Sequence, residues 1–255
     1  MATQAVCPKC GGTGFTIVER ANISAAEPCT CRSEQRAEHA EERAQIPPLY
    51  RNATFENFDV RRADNPIGGA SLAKVLVSVQ AYARDFPNPS RPGLLLIGDP
   101  GSGKTHLAVA ALHRILSKGF DGLFCDYQNL LDRIRSGYDP ASNSADREAY
   151  RVALDYEVLL LDDLGAHRVT DWVEDTITSI VTQRCNQGKA LIATTNLPDP
   201  EAGSSVVEKS GLGPVARATL GERIGARARS RLFEMCTVIR MPLVEDYRIR
   251  KARTF

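Results

Sequence analysis

Leu94-Leu95-Leu96-Ile97-Gly98-Asp99-Pro100-Gly101-Ser102-Gly103-Lys104-Thr105 is the stretch on which the reading of this chain turns. Four apolar residues make a short buried strand. The next eight fit G-x-x-x-x-G-K-[ST] at every fixed position. Glycines at 98, 101 and 103 let the backbone curl so that its N–H groups point inward, and a helix opening near Gly103 turns its positive end toward the same place. Such a loop cradles phosphates: Gly98, Asp99, Pro100, Gly101, Ser102, Gly103, Lys104, Thr105 and His106 form the candidate nucleotide site. Lys104 is expected to reach the β- and γ-phosphates and the Thr105 hydroxyl to bind Mg²⁺. The apolar residues Leu107 to Leu112 supply the helix that confirms the context.

Working outward, strand and helix patterns alternate. Gly122–Cys125 reads as a strand and 127–135 as a helix. Val158–Leu161 reads as a strand, 171–186 as a helix, and Ala190–Ala193 as a fourth strand. Strands that are apolar throughout suit a parallel sheet covered on both faces, and this alternation predicts a doubly wound α/β fold. Val158-Leu159-Leu160-Leu161-Asp162-Asp163 ends in two carboxylates. Asp162 is expected to hold Mg²⁺ through water and Asp163 to orient the attacking water. Asp in place of a longer Glu at that second position predicts slow hydrolysis. Asn196, closing Ala193-Thr194-Thr195-Asn196, is placed to touch the γ-phosphate or the attacking water. Residues 137–146 read as a turn-rich insertion and 198–214 as a long loop.

The net charge of +1 is uninformative, but its distribution is uneven. Beyond residue 216 stand Arg217, Arg223, Arg227, Arg229, Arg231, Arg240, Arg248, Arg250, Lys251 and Arg253, against Glu222, Glu234, Glu245 and Asp246. That imbalance predicts an anionic partner. Residues 222–235 read as one helix with Ile224, Ala228, Leu232 and Met235 on its apolar face. Arg223, Arg227 and Arg231 then fall at i, i+4, i+8. Like charges at that spacing cost about 0.2–0.5 kcal/mol per pair, a cost that makes sense where an outside anion meets them: a neighbouring subunit's γ-phosphate or DNA backbone. Asp246-Tyr247-Arg248 opens a last short helix, and Arg248 is a candidate contact to the chain's own phosphates.

Cys7-Pro8-Lys9-Cys10 and Cys29-Thr30-Cys31 form a second constellation. Four thiolates crowded into a short segment suit a tetrahedral Zn²⁺, and so small a module needs a metal to fold. Gly11-Gly12-Thr13-Gly14 supplies the tight backbone of a zinc knuckle. The second pair is closer than the usual C-x₂-C spacing; His39 is a poorer ligand, and a redox role for Cys7 and Cys10 is the alternative. Cys125, Cys185 and Cys236 lie in or beside apolar segments and read as core. The division along the chain is 1–45 for the zinc-binding module and a polar helix, 46–68 for a linker, and 69–255 for the ATPase domain. With no run of 18 apolar residues there is no membrane span, and an N-terminus without a basic-then-apolar segment predicts a cytoplasmic protein.

Gly98–Leu107, Leu160-Leu161-Asp162-Asp163-Leu164-Gly165, Ala193–Leu197 and Ser230-Arg231-Leu232 together resemble the AAA+ ATPases of the DnaC/DnaI helicase-loader group, with the transposition helper IstB a close relative. The resemblance covers roughly 46–253. It implies the AAA+ sheet order with a small helical C-terminal part, and ATP, Mg²⁺ and Zn²⁺ as cofactors. It also implies Asn196 as first sensor, Arg231 as an arginine finger acting on a neighbour's ATP, and Arg248 as second sensor. The segment near 127–155 matches an insertion that helps contact single-stranded DNA. The implied function is ATP-dependent loading of a hexameric replicative helicase onto single-stranded DNA, with ATP-dependent self-assembly and the N-terminal module docked on the helicase. The alternatives are an IstB-like helper ATPase that binds duplex DNA, and a zinc-dependent nucleic-acid module that uses ATP only as a structural ligand.

Overall fold

The computed structural model describes residues 7–20, 23–60, 66–138, 144–210 and 213–249. Its centre is one five-stranded sheet built from β3 (Gly93–Ile97), β4 (Gly122–Asp126), β5 (Val158–Asp162), β6 (Ala190–Thr195) and β9 (Cys236–Arg240). All neighbours are parallel and the order is β4-β5-β6-β3-β9. This is the AAA+ arrangement that the resemblance implies. It places the C-terminal ends of β3, β5 and β6 side by side, where open α/β sheets bind ligands.

The apolar strands have a direct cause in the two faces of this sheet. Leu94 and Leu96 enter a core shared with α2 (Pro66–Asp85) and α3 (Lys104–Leu116). Leu95 and Ile97 enter a second core on the other face. That second core includes α4 (Tyr127–Ser136), α5 (Ser144–Asp155), α6 (Asp171–Asn186) and α8 (Ala226–Met235). Each fully buried leucine contributes about 1.5–3 kcal/mol, so a strand buried on both sides has no position at which a polar residue is cheap.

Near the N-terminus, β1 (Phe15–Arg20) and β2 (Ile23–Pro28) form an antiparallel hairpin, followed by α1 (Thr30–Arg43). Ala40 and Ala44 at the end of α1 are buried in the first core, and the Phe124 N–H of β4 donates to the Ala44 carbonyl at 2.8 Å. The connector after it packs as well: Ala53, Phe55 and Phe58 are buried in the same core. Helix α2 begins at Pro66, so position 69 lies inside it.

Three local readings are corrected. Residues 144–155 of the expected turn-rich insertion and its continuation form helix α5, while 139–143 lie outside the described residues. The loop at 198–214 contains β7 (Val207–Ser210), which pairs with β8 (Gly213–Ala216). The helix expected at 222–235 is two helices, α7 (Leu220–Ile224) and α8, broken at Gly225 with φ 83°. The Glu174 carboxylate lies where a Cβ on residue 225 would stand, 2.3 Å from it, so α6 presses into the break. The expected apolar face survives: Ile224, Ala228, Leu232 and Met235 are all buried. Cys125 and Cys236 are buried as expected, and Cys185 packs partly buried against the second core. No helix among the described residues is long and apolar enough to cross a membrane.

Candidate nucleotide site and cysteine cluster

The loop Gly98–Thr105 hangs from β3 into the N-terminus of α3. Gly101 and Gly103 hold φ of 71° and 93°, which side chains with a Cβ rarely adopt. A Cβ on Gly98 would stand 2.6 Å from that of Met241, so this glycine also makes room for the chain leaving β9. Helix α3 has Gly103 as its N-cap with no side-chain capping bond. Its first N–H groups are therefore left for an incoming anion.

Lys104 is buried to 5% exposure and donates from Nζ to the Asp99 carbonyl at 2.9 Å and to Asn196 Oδ1 at 2.7 Å. Burial pulls its pKa down to about 8, against the raising effect of Asp163, Asp162 and Asp99. The other end of the same amide, Asn196 Nδ2, donates to Asp163 Oδ1 at 2.9 Å. The chemistry fixes the amide's orientation, since an ammonium can only donate and a carboxylate here accepts. Asn196 thus ties the phosphate-loop lysine to the second carboxylate of the pair. Asp163 itself sits in the left-handed region at φ 54°, a rare place for a non-glycine residue and one typical of functional sites. Its N–H donates to Thr194 Oγ1 at 3.0 Å.

Asp162 is buried, and its Oδ1 accepts from the hydroxyls of both Thr105 (2.9 Å) and Thr194 (2.6 Å). Burial raises its pKa, and the two hydroxyl bonds oppose that. A hydroxyl and a carboxylate side by side are a hard, all-oxygen donor set, which suits Mg²⁺. The residues present therefore fit a nucleotide with its metal: glycine-permitted curvature, uncapped helix N–H groups, a buried ammonium and oxygen ligands.

The remaining expected residues are placed as follows. His106 turns to the connector, with Nε2 2.8 Å from the Thr54 carbonyl and its ring 5.4 Å from Phe58. Arg248 forms an ion pair with Asp246 at 3.2 Å and lies near enough to Lys104 and Asp163 for their charges to act on one another. Arg231 is exposed on α8 and paired with Glu234 at 2.6 Å; no group of the phosphate loop is among its partners. Much of the basic C-terminal excess is answered inside the chain. Arg217 pairs with Asp99, Arg229 with the fully buried Asp199 and with Glu201, and Arg240 donates to the Gly203 carbonyl. The expected stripe is broken too, because Gly225 puts Arg223 on α7 and Arg227 and Arg231 on α8. Arg250, Lys251 and Arg253 lie outside the described residues.

Four residues of the site escape the motifs. Thr194 shares the Asp162 oxygen with Thr105; its position at the end of β6, beside Asp162 at the end of β5, was the available signal. Tyr50, on a single 3-10 turn (Pro48–Tyr50), reaches Thr105; burial and then Asp162 push its phenol up. Asp246 stands so close to the loop that a Cβ on Gly101 would meet its carboxylate at 1.9 Å, and Tyr247 N–H donates to the Gly101 carbonyl at 3.4 Å. Arg217 grips Asp99 from outside. No short pattern announces these last three.

The cysteine cluster forms as read. The sulfur atoms of Cys7, Cys10, Cys29 and Cys31 all lie within 4.8 Å of one another, with Cys7–Cys29 at 3.9 Å and Cys10–Cys31 at 3.5 Å. A regular tetrahedron with Zn–S bonds of about 2.3 Å has S–S edges of about 3.8 Å, so four thiolates fit a zinc ion here. The knuckle holds through Gly11 N–H to the Cys7 carbonyl (2.9 Å) and Gly14 N–H to Cys10 Sγ (3.4 Å). The Gly14 bond leads the effects that lower the Cys10 thiol to about 6. Cys29 is the N-cap residue of α1 and Cys31 lies in its first turn, where the bonds shared with Cys10 and then Cys29 push the Cys31 thiol up while Cys10 is lowered. His39 stands apart from the cluster, with Nδ1 3.6 Å from the Glu42 carboxylate.

Known proteins resemble this chain. Residues 9–210 match the family described as IstB-like ATP binding protein. The replicative helicase loader DnaC of Buchnera aphidicola subsp. Baizongia pistaciae is 24% identical over 155 residues, 61% of this chain and 60% of that protein. A putative ATP-binding protein in an insertion sequence of Mycobacterium tuberculosis is 28% identical over 166 residues, 62% of each. The chain thus spans about 60% of the length of the curated relatives it matches. A solved structure titled as the DnaC helicase loader aligns with a TM-score of 0.61 at 29% identity, over 77% of this chain and all of that one. With the phosphate loop, the paired carboxylates and the AAA+ strand order already in place, the match over most of the chain is decisive: this protein belongs to the IstB-like ATP-binding family, a DnaC-like branch of the AAA+ P-loop ATPases.

Proposed function

We propose that this protein is an ATP-switched loader of the replicative DNA helicase, acting on single-stranded DNA. The observation that carries the reading is the likeness to the DnaC helicase loader along the whole of that solved chain. The site residues support an ATPase working at the C-terminal ends of the strands. Lys104 would hold the β- and γ-phosphates, and Thr105 and Asp162 would hold Mg²⁺, which neutralises charge that develops on the transferring phosphoryl group. Asp163 would orient the attacking water, and Asn196 would face the γ-phosphate. The Asn196 amide bonds at both ends, to Lys104 and to Asp163. A γ-phosphate competes for Lys104, so occupancy frees Asn196 and with it Asp163. Arg231, unattached to its own loop, would act on ATP held by a neighbouring subunit, and Arg248 on the chain's own phosphates. Self-assembly around ATP follows from that division. The zinc module would dock on the hexameric helicase.

The test is co-elution with the host's replicative helicase on a sizing column, with and without ATP. A joint peak that depends on ATP and is lost in Lys104→Ala is expected. The insertion-sequence relative, at 28% identity, favours the second reading: a transposition helper on duplex DNA. Failure to co-elute in either condition, together with tighter binding to duplex than to single-stranded DNA, would select it over the loader.

A further inference from the structure

Lys104 rests on two residues, and a single arginine holds both of them from behind. The Asp99 carbonyl and Asn196 Oδ1 accept from the Lys104 ammonium at 2.9 and 2.7 Å. Arg217 Nη1 lies 2.8 Å from the Asp99 carboxylate, and Arg217 Nη2 donates to the Asn196 carbonyl at 3.0 Å. The four residues close a ring, Arg217–Asp99–Lys104–Asn196. Asp99 comes from the phosphate loop and Asn196 from the end of β6. Arg217 comes from neither.

Its own place is firmly set. The Arg217 N–H donates to the Val206 carbonyl at 2.8 Å, closing the base of the β7–β8 hairpin. Two residues on, Thr219 caps α7 in a reciprocal bond pair with Glu222, and Leu220 N–H donates to the Pro198 carbonyl at 3.0 Å. Past α7 and the break at Gly225 runs α8, which carries Arg231. Arg217 is therefore where the phosphate loop and the sensor strand touch the segment that leads to the candidate arginine finger. A guanidinium is well matched to that position. Its planar fork donates along two directions to acceptors on two different segments, whereas an ammonium is a point charge.

We infer that Arg217 is a positioning residue of the ATPase site, holding Asp99 and Asn196 in register so that Lys104 and Asn196 meet the γ-phosphate together, and tying the state of the loop to α7 and α8. This rests on the ATPase reading of the site, not on the loader reading. Because Arg217 acts through Asn196, its effect belongs to the chemical step more than to nucleotide binding.

Arg217→Lys keeps the charge and the stem but loses the fork. Losing one charge-assisted hydrogen bond predicts a fall in kcat of about ten- to hundredfold. Affinity for a fluorescent ATP analogue and the midpoint of thermal unfolding should stay near those of the parent protein. In an Asn196→Ala background the same change should cost almost nothing, since the residue it positions is gone. A parental kcat in Arg217→Lys overturns the inference. So does an undiminished further loss in the Asn196→Ala background, which would mark Arg217 as merely structural. A parent protein that binds the analogue but whose variants behave in either of those ways fails this inference alone. A parent protein that neither binds nor hydrolyses ATP removes the site reading as well.

Discussion

The nucleotide site and the cysteine cluster are both small constellations of polar side chains, yet they are held in opposite ways. Around the phosphate loop the functional groups stand on elements whose apolar faces are buried: Lys104 and Thr105 on α3, Asp162 on β5, Thr194 on β6. The site is assembled by the packing of the sheet. The cysteines have no such support. Their hairpin leaves Phe15 45% and Ile17 78% exposed, and only the far end of α1 reaches a core. What joins Cys7 and Cys10 to Cys29 and Cys31 is the pairing of β1 with β2, closed by the Cys29 N–H on the Gly14 carbonyl at 2.9 Å, together with the sulfur cluster beyond it. One site rests on a buried core, and the other on a short hairpin at the surface.

The largest expected effect breaks the weaker partner of that pair. Structural zinc contributes about 10–16 kcal/mol in small modules at neutral pH. Cys10→Ser, or a strong chelator, is therefore expected to unfold residues up to the start of α1 while the sheet keeps its own unfolding transition. Metal analysis should give one zinc per chain in the parent and none in the variant, and hydrogen exchange should rise in β1 and β2 alone. A metal-free parent with a protected hairpin would contradict this.

A second experiment asks whether the nucleotide site is as self-contained for chemistry as for binding. Arg231→Ala is expected to bind ATP normally and lose about 10³–10⁵ in hydrolysis, the usual worth of an arginine finger. Mixing it with Lys104→Ala should restore activity, because each subunit then offers the part the other lacks. No rescue at any ratio would place the finger elsewhere.

The smallest effect sharpens the contrast through pH. Burial, which disfavours its charge, brings the Lys104 pKa down to about 8. Phosphates need the charged form. Above pH 8 binding must therefore take up a proton, and ATP affinity should fall by up to about tenfold per pH unit. Zinc affinity should rise over the same range, since metal binding releases thiol protons. Calorimetry in buffers of different ionisation enthalpy would show the proton uptake; flat ATP affinity from pH 7.5 to 9.5 would contradict it.

The two regions also differ in how far the chain's residues announce them. Lys104, Thr105, Asp162, Asp163 and Asn196 are legible because fixed spacing sits between apolar runs, and those runs give β3 to β6 almost to the residue. The Cys-x-x-Cys spacing did the same for the cluster. What stays hidden depends on where distant segments land. Arg217 meets Asp99 only because β6 lies beside β3. Thr194 meets Asp162 only because β5 lies beside β6. Strand β9 follows directly on a helix with only Cys236 and Ile239 buried, so its burial pattern offers no continuous apolar run. The break at Gly225 lays the backbone against Glu174 on another helix, a contact that helical periodicity does not encode.

The strand order has a consequence for the chain as it is being made. Leu94–Ile97 emerges early, but its two neighbours are Ala190–Thr195 and Cys236–Arg240. The second ends 143 positions after Ile97 (240 − 97). At about 5–20 residues per second, synthesis leaves the most apolar strand without one of its edges for roughly 7–30 s. Over that interval an element already made that shares its core in the folded chain is α2. The helix preceding the phosphate loop is thus a part of that strand's surroundings already made before its edges are.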